Sequence, residues 1–94
     1  MAQNTFPEKI KLIVQSPDET LFEGEAYAVS SINQKGEFDI LPGHTNFVSL
    51  ITDILVIHIS ETESKDYPIT TGLLKVADNS VEVYLGVDSV KTDF

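Results

Sequence analysis

The chain has 94 residues, a formal net charge of −9, no cysteine and a hydrophobic content of 41%. This length suits one domain with one modest core, and this hydrophobic content excludes an intrinsically disordered chain. The absence of cysteine excludes disulfides and thiolate metal sites, and the acidic balance argues against nucleic acid and anionic lipid surfaces, which are bound through Lys and Arg.

No apolar run reaches the ~18 residues that a membrane-spanning helix needs, and no signal-peptide pattern opens the chain. We therefore expect a single domain over residues 1–94. Its ends are polar, which predicts a loose N-terminus at residues 1–7 and a short tail at residues 88–94.

The N-terminal part alternates apolar and polar residues with the period of a β-strand. Ile10, Leu12 and Val14 fall on one face of the first strand, and Pro17 suits the first central position of the turn that follows. The predicted elements are a strand at residues 9–15, a turn at 16–19, a short strand at 20–23 interrupted by Gly24, and a strand at 25–33.

The C-terminal part has strands separated by polar hairpin tips. Periodicity alone leaves residues 46–52 open between one helical turn and a buried strand. The run from Ile54 to Ile59 is nearly all β-branched or aliphatic, which predicts a central strand covered on both faces. The remaining predicted elements are a polar tip at residues 61–66, a strand at 67–71, and two strands at 73–77 and 81–87 around Asp78-Asn79-Ser80.

Together these segments make eight to ten short, mostly antiparallel strands, and no amphipathic helix of three turns is present. This pattern predicts an all-β sandwich or flattened barrel. The expected core is Leu12, Val14, Val29, Ile40, Leu55, Ile57, Val76, Val83 and Leu85.

The most distinctive stretch is Lys35 to Phe47, which reads K-G-E-F-D-I-L-P-G-H-T-N-F. A short strand alternates apolar and acidic residues before Pro42-Gly43. Because Pro presets φ at the first central position and Gly supplies φ > 0 at the second, the pair predicts a type II turn. This turn would present a rigid, exposed loop of His44, Thr45 and Asn46.

The stretch resembles the signature of the epsilon subunit of F-type ATP synthases, in its N-terminal β-sandwich domain. Ile10 to Glu25 resembles that family's opening strand, turn and second strand, and Thr71 to Leu85 resembles its closing hairpin, so the resemblance covers roughly residues 8–88. The family commonly has other residues at four places in this chain: Gly at Asp39, Ala-Pro at Thr45-Asn46, Pro-Gly at Thr52-Asp53, and Gly at Thr71.

The resemblance implies a central-stalk subunit that docks on the gamma subunit and seats on the ring of c subunits, coupling ion-driven rotation to ATP synthesis. It implies a peripheral position on the cytoplasmic face of a bacterial plasma membrane, with membrane contact only through the c-ring. An exposed apolar patch should add to the docking surface. The implied contact residues are Glu37, Pro42, Gly43, His44, Thr45 and Asn46.

In the resembled family, a C-terminal helical hairpin restrains ATP hydrolysis, and in some members it binds ATP. Only Asp88 to Phe94 follow the last predicted strand here, and isolated helices under ~12–15 residues are marginal in water. We therefore expect the chain as given to couple rotation without inhibiting hydrolysis by extension and without binding ATP.

No motif for catalysis or cofactor binding is present. Nothing around His44 or His58 resembles a nucleophile elbow, and the glycines are isolated, so no phosphate-binding loop forms. His58 lies in an apolar strand, which favours a packed or rim residue over a metal ligand. We interpret the chain as non-catalytic, without metal or cofactor. The alternative is a stand-alone β-sandwich module that binds a protein or a small ligand.

Overall fold

The computed structural model describes residues 9–86, which form seven β-strands and no helix. Within those residues there is accordingly no helix long and apolar enough to cross a membrane. The predicted loose N-terminus (1–7) and tail (88–94) lie outside the described residues. The strands are β1 (Ile10–Gln15), β2 (Thr20–Ala26), β3 (Ala28–Asn33), β4 (Gly36–Ile40), β5 (Phe47–His58), β6 (Ser64–Ala77) and β7 (Ser80–Leu85).

The strands form one mixed sheet in the order β2-β1-β7-β6-β5-β3-β4. All neighbouring pairs are antiparallel except β1 and β7, which run parallel with Lys11 opposite Ser80. The predicted all-β, mostly antiparallel architecture, of the kind found in β-sandwich domains, is confirmed.

One face of this sheet carries the hydrophobic core. Eight of the nine predicted core residues are buried, and Leu85 is partly buried at the end of β7, where it packs against the others. Burial of Val, Leu and Ile side chains contributes roughly 1.5–3 kcal/mol each. The buried cluster consists of Ile10, Leu12, Val14, Ala26, Val29, Ile40, Ile51, Leu55, Ile57, Leu74, Val76, Val81 and Val83.

The number of strands is smaller than predicted, because two predicted breaks lie inside longer strands. Residues 46–52 and 54–60 belong mainly to β5, and residues 67–71 and 73–77 belong to β6. The register shifts where Thr52 pairs with Thr71 but Asp53 pairs with Ile69. The extra residue, Thr70 of β6, makes a β-bulge that ends neither strand, and the inward apolar residues stay on the core face.

The run from Ile54 to Ile59 was predicted to be covered on both faces, and this is wrong. Leu55 and Ile57 are fully buried, whereas Ile54, Val56 and His58 are half-buried on the outer face. β5 is an interior strand between β6 and β3, but its outer face is only half covered. β-Branched residues favour such a half-buried strand as well, so the run of β-branched residues did not distinguish the two cases.

The predicted end of the second strand at Gly24 also lies elsewhere, at Tyr27. β2 continues through Gly24, which lies opposite Leu12, and the chain leaves β2 at Tyr27 to start β3. β2 is an edge strand that pairs only with β1, and edge positions accommodate a glycine at modest cost. The predicted strand at residues 25–33 therefore begins at Ala28.

Candidate partner-contact loop

The loop that follows β4 opens with the predicted turn. The His44 amide donates to the Leu41 carbonyl oxygen at 3.1 Å, and Gly43 has φ of 84°. An i to i+3 hydrogen bond with positive φ at the second central position defines a type II turn, which confirms the prediction for Pro42-Gly43. Leu41, just before the turn, is 53% exposed.

His44 is half-buried because its ring packs on an aromatic pair. Its ring meets Phe47 edge-on with centroids 5.6 Å apart, and Phe47 lies 5.5 Å from Phe38. Nδ1 of His44 lies 2.7 Å from the Thr45 carbonyl oxygen. Because a carbonyl only accepts, Nδ1 carries a hydrogen and donates it. These contacts fix the ring orientation in an otherwise exposed loop.

Two asparagine side chains join the loop to the β6–β7 hairpin. The Gly43 amide donates to Asn79 Oδ1 at 3.0 Å, and the Asp78 amide donates to Asn46 Oδ1 at 3.2 Å. Asp78 and Asn79 have φ of 53° and 65°, as a two-residue type I′ turn requires. The predicted hairpin loop is confirmed, with Ser80 already in β7. The sequence indicated both turns but not their contact.

Five of the six predicted contact residues lie in this one loop, and the sixth lies apart. Glu37 is near the start of β4, opposite Ile32, and its side chain is exposed. Four residues of strand, about 13 Å, separate it from Leu41 at the start of the turn. The loop is therefore defined as residues 41–46, and Glu37 belongs to the outer face of the sheet beside Asp39.

An apolar patch on the outer face is the second exposed feature. Val48 and Leu50 on β5 are 63% and 66% exposed. Leu50 lies opposite Leu73 of β6, which in turn lies opposite Tyr84 of β7. Contiguous apolar groups of this kind on a soluble domain mark contact surfaces. We call these four residues the outer apolar patch.

Tyr84 also has a defined polar contact at the rim of the patch. Its hydroxyl donates to Glu82 Oε1 at 2.8 Å. This hydrogen bond, with smaller contributions from desolvation and from the Glu82 charge, raises the pKa of the Tyr84 phenol above its ordinary value of 10.0. Tyr84 therefore stays neutral and amphipathic at physiological pH, as aromatic contact residues commonly are.

Residues 9–87 match the family described as ATP synthase, Delta/Epsilon chain, beta-sandwich domain. The chain belongs to this family. The ATP synthase epsilon chain of Clostridium perfringens is 39% identical over 74 residues, which are 78% of this chain and 56% of the relative. That of Aliarcobacter butzleri is 35% identical over 77 residues, 81% of this chain and 61% of the relative. The chain thus spans little more than half the length of these curated relatives.

Two solved structures share the fold of this delta/epsilon-family domain. One is from the Euglena gracilis mitochondrial ATP synthase, OSCP/F1/c-ring, with a TM-score of 0.79 and 23% identity over 89% of this chain and 54% of the other. Another is from the Tetrahymena thermophila mitochondrial ATP synthase central stalk and c-ring, with a TM-score of 0.70 and 16% identity over 95% of this chain and 75% of the other. The resemblance to the F-type epsilon subunit is confirmed.

One polar cluster of this delta/epsilon-family domain was missed from the sequence. Ser30 Oγ donates to Asp39 Oδ1 at 2.5 Å and lies 2.9 Å from His58 Nε2. Because the single hydroxyl hydrogen goes to the carboxylate, Ser30 accepts from His58, which is the reverse of an activated nucleophile. Within residues 9–86, no group of three or more His, Cys, Asp or Glu side chains is arranged to hold a metal ion.

Proposed function

We propose that this chain is a non-catalytic central-stalk subunit that docks on gamma and seats on the c-ring, so that ion-driven rotation is coupled to ATP synthesis. The observation that carries this proposal is the pairing of two separate contact features, loop 41–46 and the outer apolar patch, on one delta/epsilon-family domain. We further propose a peripheral position on the cytoplasmic face of a bacterial plasma membrane, with the c-ring as the only link to the lipid.

The two features suit two different partners. Val48 and Leu50 expose large aliphatic groups on a regular sheet, a surface that fits an apolar face of gamma. Loop 41–46 is short and ends in three polar residues, His44, Thr45 and Asn46, which fit the polar loops of the c-ring; Leu41 is its one large exposed apolar residue. A stable complex buries about 1,200–2,000 Å² in total, so the patch must be extended by its surroundings.

The first prediction tests docking on gamma. Replacing Val48 and Leu50 together by Ser should weaken binding of purified gamma at least tenfold, because apolar contact area is lost from the centre of the interface. The melting temperature should change little, because both side chains are largely exposed already. Titration calorimetry and thermal unfolding measure the two effects.

The matched control for this test is Tyr27→Ser. Tyr27 is 43% exposed and lies off the patch, at the junction of β2 and β3. Equal loss of affinity in both variants would contradict the assignment of gamma to the patch. A wild-type chain that does not bind gamma at all would favour the alternative, a stand-alone binding module.

The second prediction tests two of the six predicted contact residues, Glu37 and His44. Replacing Glu37 and His44 together by Ala should lower binding to the c-ring or the coupling of an assembled enzyme, with nearly unchanged melting temperature. Because Glu37 lies on the outer face of the sheet and His44 lies in loop 41–46, the single variants separate the two surfaces. Glu23→Ala, an exposed carboxylate on β2, is the control. Loss of several degrees of stability with normal assembly would make both residues structural.

A further inference from the structure

Loop 41–46 is held by a set of side-chain hydrogen bonds that could not be predicted from the sequence. Asn79 contributes both ends of its amide: Oδ1 accepts from the Gly43 amide at 3.0 Å, and Nδ2 donates to the Lys9 carbonyl oxygen at 2.7 Å. Asn46 Oδ1 accepts from the Asp78 amide at 3.2 Å. We call these three hydrogen bonds the amide clamp.

The orientation of each amide is fixed by its partners. A main-chain N–H can only donate and a main-chain carbonyl can only accept. The Gly43 amide therefore requires an oxygen of Asn79, and the Lys9 carbonyl requires its nitrogen. If the amide of Asn79 were flipped, its NH2 group would face the Gly43 N–H and its oxygen would face the Lys9 carbonyl oxygen. Both contacts would be repulsive, so the side chain of Asn79 has one orientation.

The backbone of Asn79 explains why asparagine serves here. Asn79 has φ of 65° in the type I′ turn, a conformation that Asn and Gly adopt most readily. Gly would form the same turn without reaching the loop. The turn is itself anchored on the sheet, because the Lys11 amide donates to the Asn79 carbonyl oxygen at 3.1 Å. The clamp thus connects loop 41–46 to β1 and to the β6–β7 hairpin.

We propose that Asn46 and Asn79 are positioning residues that hold loop 41–46 in its contact conformation, and that their hydrogen bonds restrain the loop as a proline would restrain it covalently. Proline restrains φ covalently and pushes the preceding residue toward an extended conformation. Asn46 has no such restraint, and the clamp supplies it through space. A loop ordered before binding loses less entropy on binding. The effect of the clamp on binding rests on the proposed function.

The test of the clamp uses the isolated chain and two glycine variants of one turn. Asn79→Gly keeps the positive φ and removes the amide, whereas Asp78→Gly keeps every hydrogen bond of the clamp because Asp78 takes part only through its main-chain N–H. Native-state hydrogen exchange followed by NMR should show exchange of the Gly43 amide at least tenfold faster in Asn79→Gly. Asp78→Gly should leave it unchanged, and the amides of Leu55 and Leu74 in the core strands should change in neither variant.

A rescue variant separates positioning from general stability. Adding Asn46→Pro to Asn79→Gly removes the remaining clamp hydrogen bond, from the Asp78 amide to Asn46 Oδ1, and puts the covalent restraint of the proline ring in its place. The double variant should regain rigid ¹⁵N relaxation of His44 and recover the c-ring binding that Asn79→Gly loses.

Three outcomes decide the proposal. Unchanged Gly43 exchange in Asn79→Gly overturns the clamp. A freed loop with undiminished c-ring binding, or a failed rescue by Asn46→Pro, overturns its positioning role and leaves the proposed function standing. A wild-type chain that does not bind the c-ring overturns the proposed function, and the exchange of Gly43 still decides the clamp.

Discussion

Two threonines that face each other across β5 and β6 differ in their hydrogen bonding. Thr52 Oγ1 donates to the Thr70 carbonyl oxygen at 2.9 Å. Its register partner Thr71 has a buried Oγ1 with no hydrogen-bond partner among residues 9–86. A buried hydroxyl without a partner costs about 1–3 kcal/mol of desolvation, whereas a bonded one contributes roughly 0.5–1.5 kcal/mol.

The third prediction follows from this pair. Thr71→Val should raise the free energy of unfolding by about 1 kcal/mol, because it replaces an unsatisfied hydroxyl with a methyl group of similar size. Thr52→Val should lower it by about the same amount, because a satisfied hydroxyl is lost. Urea denaturation of both variants checks the signs, and equal destabilisation by the two would show that Thr71 has a partner such as water.

The sequence could predict the conformation of single turn residues but not their long-range side-chain contacts. The turn residues Pro42 and Gly43 act on their own neighbours, so their conformation was predictable. The three hydrogen bonds of the amide clamp join residues 32, 36 and 70 positions apart, and the Ser30–His58 contact spans 28. Nothing local distinguishes these side chains from solvated ones, because their partners are set by the register of the sheet.

At the scale of strands, the bulge between β5 and β6 lies at Asp53. Asp53 has φ of 74°, where most side chains are strained, and Asp is among the residues that tolerate this conformation. Its Oδ1 lies 3.3 Å from Thr52 Oγ1, whose hydrogen is donated to the nearer Thr70 carbonyl oxygen. The sequence predicted a strand boundary at this position because residues that suit positive φ also end strands. A bulge and a turn share this local signal, and only pairing with β6 distinguishes them.

The fourth prediction concerns this bulge. Asp53→Gly should be more stable than Asp53→Val by about 1–2 kcal/mol, because a β-branched residue with positive φ is strained. At Lys75, an exposed position within the regular part of β6, the order should reverse, because Val favours an extended strand and Gly weakens it. Denaturant unfolding of the four variants gives the difference in unfolding free energy between Gly and Val at each position. If Gly were the more stable variant at Lys75 as well, the positive φ of Asp53 would not explain the preference there.

The whole molecule is strongly acidic and has little internal charge pairing. The formal net charge is −9, and no ion pair joins two side chains within residues 9–86. Lys65 lies instead over the Phe22 ring at 6.0 Å from its centroid. Self-repulsion of like charges opposes the compact state and is screened by salt, since the Debye length falls from about 30 Å at 0.01 M to about 10 Å at 0.1 M.

The fifth prediction is that salt stabilises the domain. Raising sodium chloride from about 0.01 to 0.3 M should increase the melting temperature by about 4 °C, equivalent to ~1 kcal/mol for a domain of this size. A variant carrying Glu23→Lys and Glu25→Lys on β2 should respond less, because its net charge is smaller. A melting temperature that falls with salt would mean that attractive pairs outweigh the repulsion.

The parallel pairing of β1 with β7 has a consequence for how the domain is made. Lys11 meets Ser80 across this pair, so the two strands are separated by nearly the whole described chain. During synthesis, β1 and β2 leave the ribosome long before β7 does. Their hairpin keeps one long edge without its neighbour until residues near Tyr84 emerge, and isolated two-stranded hairpins are marginal in water. The sheet of this domain is therefore complete only after β7 has left the ribosome, and that edge is exposed to other strands until then.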